Sequence, residues 1–172
     1  MDKQRQIFSG IYDQYIEKIY RFIFLKVSSP EIAQDLTSET FLKGWEAFKK
    51  SQNPNPNKHK IENIQAFLYQ IARNLLTDFY REKGRTQVIS AENIRIIDPT
   101  VNLEEKAEFS SDCEQIKVHL ADLKEDYQEV IILHYINDLS IKEIAQTLEK
   151  PEGTVRVMLH RGLKELKSLL EA

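Results

Sequence analysis

The sequence predicts an all-α protein, built as two small helical domains joined by an acidic linker. Three observations predict it. Apolar residues recur at three- and four-residue spacing along most of the 172-residue chain, and period-two alternation is almost absent. The five glycines and five prolines gather at a few points where the helical pattern breaks. One stretch, Thr86 to Gln115, loses periodicity and sets Glu92, Asp98, Glu104, Glu105, Glu108, Asp112 and Glu114 against only Arg95 and Lys106, which more than accounts for the net charge of −3. Such a segment reads as a solvated tether, or as an acidic strand that imitates nucleic acid in a basic channel.

The first helix carries Phe8, Ile11, Tyr12, Tyr15, Ile19, Phe22 and Ile23 as one stripe. It ends near "VSSPEIAQD". There Ser29 is placed to cap a second helix, with Pro30 in the first turn where a missing N–H costs nothing. That helix runs to about Phe48 with Ile32, Ala33, Leu36, Thr40, Trp45 and Phe48 inward. The polar, proline-bearing loop "KKSQNPNPNKHK" follows. A third helix then repeats Phe67, Leu68, Ile71, Ala72, Leu75, Leu76 and Phe79 and breaks at Gly84. Helices resume near Ile116 with Leu120, Leu123, Tyr127, Val130, Ile131 and Leu133.

"LSIKE" is a helix start with a capping box, Ser140 with Glu143, and a staple of Leu139 with Ile144. The next stretch, "EKPEG", interrupts a helical pattern with Pro151 and Gly153. The interruption redirects the chain: Gly153 is suited to a positive φ or a close approach, and Thr154 to capping the helix that follows. Val155, Leu159, Leu163, Leu166 and Leu170 form the inner stripe of that helix. A short helix, a tight turn and a longer helix make a helix-turn-helix, whose second member enters the DNA major groove. Its outward residues are Arg156, Val157, His160 and Arg161, and arginine is the commonest bidentate partner of guanine. The plain alternative is a helical hairpin with solvated basic residues.

Composition narrows the function. No apolar run approaches the roughly 20 residues of a membrane-spanning helix, and "MDKQRQIFSG" has no signal-peptide character. Cys113 is the only cysteine, so no internal disulfide exists and a reducing compartment is expected. There is no phosphate-binding glycine loop. His59, His119, His134 and His160 lack metal-ligand spacing. Neither an enzyme, a metal site nor a cofactor is expected.

"LKEDYQEVIILHYINDLSIKEIAQTLEKPEGTVRVMLHRGLKELKSLL" resembles region 4, the C-terminal DNA-binding region of extracytoplasmic-function sigma factors, small alternative bacterial sigma factors. The matching residues are Leu123, Glu143 to Ala145, Gly153 to Val155, Arg156 and Arg161. "SPEIAQDLTSETFLKGWEAF" resembles the region 2 helix with which that family docks on RNA polymerase. "AFLYQIARNLLTDFYREKGR" resembles the helix facing the promoter −10 element. Val157 and Met158 depart from the polar or basic residues common there, and Gly162 stands inside a helix where alanine is common. The resemblance implies residues 1–86 as a region 2 domain, 87–113 as linker and 114–172 as a region 4 domain.

The same resemblance implies a sigma factor that binds core RNA polymerase at its clamp and flap and directs initiation at promoters with −10 and −35 elements. It implies an anti-sigma regulator, and a place in the bacterial cytoplasm at the nucleoid. Asp35, Ser38, Glu39 and Leu42, with Glu46, form an outward face of the second helix and are the expected polymerase contact. Without the resemblance this is a solvated face with one stray leucine. Thr154, Arg156, Val157, His160 and Arg161 are expected at the −35 element. On the third helix Asn74, Asp78, Arg81 and Arg85 share one outward face, and Tyr69, Arg73, Thr77 and Tyr80 an adjacent one. Arginines hold phosphates, while an amide and aromatic rings bond to or stack on unpaired bases, so Tyr69, Arg73, Asn74, Asp78, Arg81 and Arg85 are expected at the −10 element. Local ion pairs of Asp78 with Arg81 and Glu82 with Arg85 are compatible with this. "NPNPNKHK" is suited to holding an extruded base, and Leu133 and Ile136 to the flap. Two other readings are a stand-alone helix-turn-helix regulator and a sigma-like adaptor that starts no transcription.

Overall fold

The computed structural model describes residues 2–27, 29–52, 60–83 and 118–171. Its elements are α1 (Lys3–Val27), α2 (Pro30–Ser51), α3 (Ile64–Lys83), α4 (Glu125–Ile131) continuing into a π-helical turn (Ile132–Ile136), α5 (Ile141–Leu148) and α6 (Glu152–Glu171). No strand occurs among the described residues. The expected linker 87–113, with Cys113, lies outside them, as do Arg85, Ile116 and residues 53–59 of the polar loop.

Local chemistry starts α2 and α5 where the caps predict. The Ser29 hydroxyl accepts from the Ile32 amide at 3.3 Å, with Pro30 in the first turn of α2. At α5 the Ser140 hydroxyl accepts from the Glu143 amide, and the Glu143 carboxylate accepts from the Ser140 amide, each at 3.1 Å. Each such cap is worth about 1 kcal/mol.

α1, α2 and α3 pack on one another around Phe8, Phe22, Phe41, Phe48, Leu68 and Leu76. Phe8 lies against Trp45 and Phe48, with ring centroids 5.2 and 5.7 Å apart. Gly44 lets α2 and α3 approach closely: a Cβ there would stand 2.8 Å from Leu68 Cδ2. In the C-terminal half, α6 packs on α4 and α5 through Val155, Leu159 and Leu166. Gly162 serves the same purpose as Gly44. Its Cβ would lie 3.2 Å from both Tyr127 Cβ and Ile131 Cδ1, which accounts for glycine within this helix.

The two halves also touch, through α3 and α5. The end of α1 shows the effect. Phe22 to Val27 is buried on every side, including Lys26, whose amine lies 5.2 Å from the Phe22 ring centroid. Burial pushes the Lys26 amine below its ordinary value, opposed by the charges of Glu129 and Glu125 in α4.

Candidate nucleic-acid and polymerase interfaces

The helix-turn-helix is α5, a turn, and α6. α5 ends on Glu149, which takes the left-handed conformation at φ 55° and returns its amide to the Ala145 carbonyl. Lys150 donates to the same carbonyl at 3.0 Å. Two expectations are corrected here. The left-handed residue of the turn is Glu149, while Gly153 is helical. Thr154 does not cap α6, which begins at Glu152 with the Val155 amide bonded to the Pro151 carbonyl at 3.1 Å. The chain reverses one turn earlier because the left-handed Glu149 ends α5 directly and proline is favoured at the entry of the next helix.

Thr154 thus sits in the first turn of α6, exposed beside Arg156, Val157, His160 and Arg161. Val155, Leu159, Gly162 and Leu166 fill the opposite face. The five residues expected at the −35 element therefore share one open face with two guanidiniums. Val157 is 47% exposed, an apolar spot among cations. Arg156 is held by Glu152 at 3.2 Å, an exposed i,i+4 pair worth a few tenths of a kcal/mol.

On α2, Asp35, Ser38, Glu39 and Leu42 are all exposed, as is Glu46. Leu42 is 58% exposed, the largest exposure among the big apolar side chains described. Thr37 and Thr40 face inward and donate to the carbonyls of Ala33 and Leu36, so the opposite side of α2 is closed into the core. Glu39 lies 3.7 Å from Lys43, a solvent-exposed pair of little energetic weight. Leu133 is fully buried, which corrects its expected place at a surface, and Ile136 is half-buried. The apolar side chain presented there is Tyr135, 55% exposed.

α3 divides the residues expected at the −10 element. Asn74, Asp78 and Arg81 are exposed along one face. Tyr69 is not on an open face but wholly buried, its ring edge-on to Phe22 with centroids 5.3 Å apart. Tyr80 is buried as well. Tyr69 follows Leu68 into the core because α1 covers one flank of α3 and the segment leading into α5 covers the next; Arg21, Tyr15, Asp138 and Glu143 are its charged or ionisable neighbours. Burial, first of all, pushes its phenol far above the ordinary value. Its hydroxyl has no hydrogen-bond partner among the described residues, which costs about 1–3 kcal/mol.

Arg73 is engaged rather than open. Its Nε donates to Glu129 Oε1 at 2.5 Å and its Nη2 to Oε2 at 3.3 Å, a forked pair between α3 and α4. Such a partly buried pair adds little net stability, but removing one member strands the other. Two further bonds tie the halves together. The Asn63 amide nitrogen donates to the Gln146 side-chain oxygen, while the Asn63 oxygen caps α3 by accepting from the Ala66 amide at 3.1 Å. The Gln70 amide donates to the Gln146 carbonyl at 3.1 Å. Glu129, Asn63 and Gln146 were invisible to the helical pattern, since each is an ordinary polar residue until a distant segment meets it. Lys26 left one signal, a cation inside the apolar run "FIFLKV".

Between the end of α2, the start of α3 and α5 lies an open groove of about 740 Å³, lined by Lys50, Lys60, Glu62, Phe67, Gln70 and Gln146 among others. It adjoins the expected base-holding loop, whose residues 53–59 lie outside the described ones.

A three-helix unit with an exposed acidic face on α2, followed by a helix-turn-helix with an open arginine face, has the build of a two-part DNA-associated regulatory protein. Family models agree with both parts: Sigma-70 region 2 matches residues 11–86 and Sigma-70 region 4 matches residues 114–166. The chain is 30% identical over 173 residues to the ECF RNA polymerase sigma factor SigW of Bacillus subtilis, covering 95% of this chain and 88% of that protein. It is 28% identical over 164 residues to the ECF RNA polymerase sigma factor BldN of Streptomyces coelicolor, covering 95% of this chain but only 60% of BldN. Among solved structures, the sigma factor RpoE with the anti-sigma factor NepR from Bartonella quintana superposes with a TM-score of 0.68 at 22% identity, over 97% of this chain and 98% of that one. CnrH in complex with the cytosolic domain of CnrY gives 0.63 at 20% identity, over 97% of this chain and 89% of that one. The chain belongs to the extracytoplasmic-function RNA polymerase sigma factors, and so to the initiation factors of transcription. Among the described residues no helix is long and apolar enough to cross a membrane.

Proposed function

We propose that this protein binds core RNA polymerase and selects promoters by reading a −35 element with α6 and a melted −10 element with α3. The observation that carries the reading is the open face of α6, where Arg156, Val157, His160 and Arg161 project together from the second helix of a capped helix-turn-helix. Such a face presents guanidiniums to guanine edges and an apolar spot to a thymine methyl. Asp35, Ser38, Glu39 and Leu42 supply the contact with the polymerase clamp, and Tyr135 an apolar contact with the flap. Asn74, Asp78 and Arg81, with Arg73 and Arg85, take the unpaired strand, and the groove beside α3 receives an extruded base. Catalysis remains with the polymerase; this chain supplies promoter choice and binding energy for melting. Its place of work is therefore wherever polymerase meets the nucleoid in the bacterial cytoplasm.

An anti-sigma regulator fits the same reading, because the structurally similar RpoE was solved with its anti-sigma factor NepR. The test is co-elution of the full chain with bacterial core polymerase, followed by run-off transcription on genomic fragments. A stoichiometric complex that starts transcription is expected. Duplex binding without any polymerase complex at micromolar concentration would instead establish a stand-alone regulator. A complex that starts no transcription would establish an adaptor.

A further inference from the structure

We propose that Val157 reads a C5-methyl group in the major groove, so that the −35 element holds a thymine opposite the centre of α6 and 5-methylcytosine is able to take its place. The inference rests on the −35 role proposed for α6 and names the group that its central side chain recognises.

The position of Val157 on the helix is specific. Each residue of an α-helix turns it by about 100°. Val155, Leu159, Gly162 and Leu166 face the core, and their mean direction sets the back of α6. Val157 lies within roughly 20° of the opposite direction. Arg156 and His160 stand on one side of that line, and Thr154 and Arg161 on the other, all exposed. Gly153 precedes Val157 on the line by one turn and adds no side chain; a Cβ there would meet nothing within 4 Å. The next side chain on the line, Lys164, comes about two turns later. A helix seated in a groove with its core stripe turned away from the DNA puts this line deepest. The first turns of α6 therefore offer the floor of a groove one side chain, and it is apolar. Val157 is 47% exposed, while the exposed side chains around it all carry a charge or a polar atom.

A lone exposed valine is ordinary on a solvated surface. At the floor of a major groove it is selective. The base edges there display donors and acceptors, and one apolar group, the C5-methyl of thymine. A valine pressed on a donor or an acceptor leaves that group dry and unpaired, which costs binding. Pressed on the methyl, it takes two apolar surfaces from water and strands nothing. Its branched Cβ already fixes the rotamer on a helix, so little side-chain freedom is lost on contact. Because valine makes no hydrogen bond, it does not sense whether the pyrimidine carries the O4 of thymine or the N4 amine of cytosine. It senses the methyl, which 5-methylcytosine carries on the same ring atom.

The experiment uses the full chain with core polymerase and the strongest genomic promoter recovered by run-off transcription. Each thymine of its −35 element, on either strand, is replaced in turn by uracil, which lacks only the methyl. Promoter-complex formation is measured in competition with the unaltered duplex. One replacement is expected to weaken the complex about fourfold, the worth of one buried methyl group, and the others to change little. At that same position 5-methylcytosine is expected to exceed cytosine by a similar factor. In Val157→Ser, which alters an exposed site and leaves the core untouched, both differences are expected to shrink toward none.

No weakening by any uracil, or a weakening that persists undiminished in Val157→Ser, would overturn the proposal, as would a −35 element made of G·C pairs alone. The uracil templates need no variant protein, so a failure of Val157→Ser to fold leaves the test intact. Replacing the whole −35 element separates this proposal from the reading beneath it. Unchanged complex formation would remove the −35 role of α6, and the methyl contact with it. Loss of the complex, while every uracil template binds like its thymine counterpart, would remove the methyl contact alone.

Discussion

α3 and α6 are both 20 residues long, and both are proposed to meet promoter DNA, yet they stand in opposite states. α6 keeps one flank in the core and offers the other, from Thr154 to Arg161, to solvent. α3 is buried on two flanks and has one guanidinium already spent on Glu129. The difference agrees with what each helix is proposed to read. A duplex groove exists before the protein arrives, so a helix that reads it has nothing to wait for. Unpaired bases exist only after melting. On the proposed reading α3 waits for that strand with Asn74, Asp78 and Arg81 exposed, while Tyr69 and Tyr80 lie in the core.

The largest expected effect tests the open helix. Arg161→Ala is expected to cost about 1–3 kcal/mol of −35 recognition, measured as promoter-strength ratios in run-off transcription. Arg156→Ala should cost less, because Arg156 leaves Glu152 in order to reach a base. Equal promoter activity in both variants and the unaltered protein would remove α6 from −35 reading and break the comparison at its open end.

The next effect tests the covered helix. Tyr69→Phe deletes a buried hydroxyl that has no partner among the described residues, and is expected to stabilise the chain by about 1–2 kcal/mol in thermal or urea unfolding. The pH dependence has a defined sign. The folded chain holds the Tyr69 proton above the ordinary value of 10.0, so the unfolded chain binds fewer protons above that pH. Tyr69's share of stability is therefore intact below pH 10.0 and lost as pH rises toward the folded value. The phenylalanine variant should lack this alkaline loss. Lower stability in Tyr69→Phe would mean that the hydroxyl is satisfied in solution. Smaller again is the docking face. Asp35→Ala with Glu39→Ala should weaken polymerase binding several-fold while leaving single-strand binding by the free chain unchanged. Unaltered polymerase affinity would sink that face.

How far the sequence reveals these states depends on how local their causes are. The caps at Ser29 and Ser140 were legible because every partner lies within three residues. So was the amphipathic split of α6, where one apolar stripe meets one core. The state of α3 was not legible. Its pattern shows a stripe flanked by Tyr69, Arg73 and Tyr80, which suits either a second buried flank or an open aromatic face. What decides is α1 across Tyr69 and, for Arg73, Glu129, 56 residues away in sequence, and helical periodicity carries no information about which distant segment lies across a helix. The turn before α6 misled for another reason. Gly153 is the residue best suited to a left-handed conformation, yet Glu149 adopts it, because the hydrogen bonds closing α5 outweigh the modest strain of a non-glycine residue there.

The smallest effects sharpen the comparison within α6 itself, which contains two glycines in different surroundings. An added Cβ at Gly153 meets nothing within 4 Å, whereas at Gly162 it meets Tyr127 Cβ and Ile131 Cδ1 at 3.2 Å. Gly153→Ala should therefore gain about 0.4–1 kcal/mol of stability by restricting the unfolded chain. At Gly162→Ala the same gain is offset by pushing α6 away from α4, and the net change should be near zero or a small loss in urea unfolding. The fold thus explains Gly162 and leaves Gly153 unexplained. If the first turns of α6 face a duplex as proposed, close approach of the DNA is a reason for a bare backbone there. Gly153→Ala should then be more stable and yet bind the −35 duplex less tightly, a split that no folding defect produces. A variant that gains stability and keeps its full affinity would show that the DNA does not come near that turn, and would move the contact surface of α6 toward His160 and Arg161.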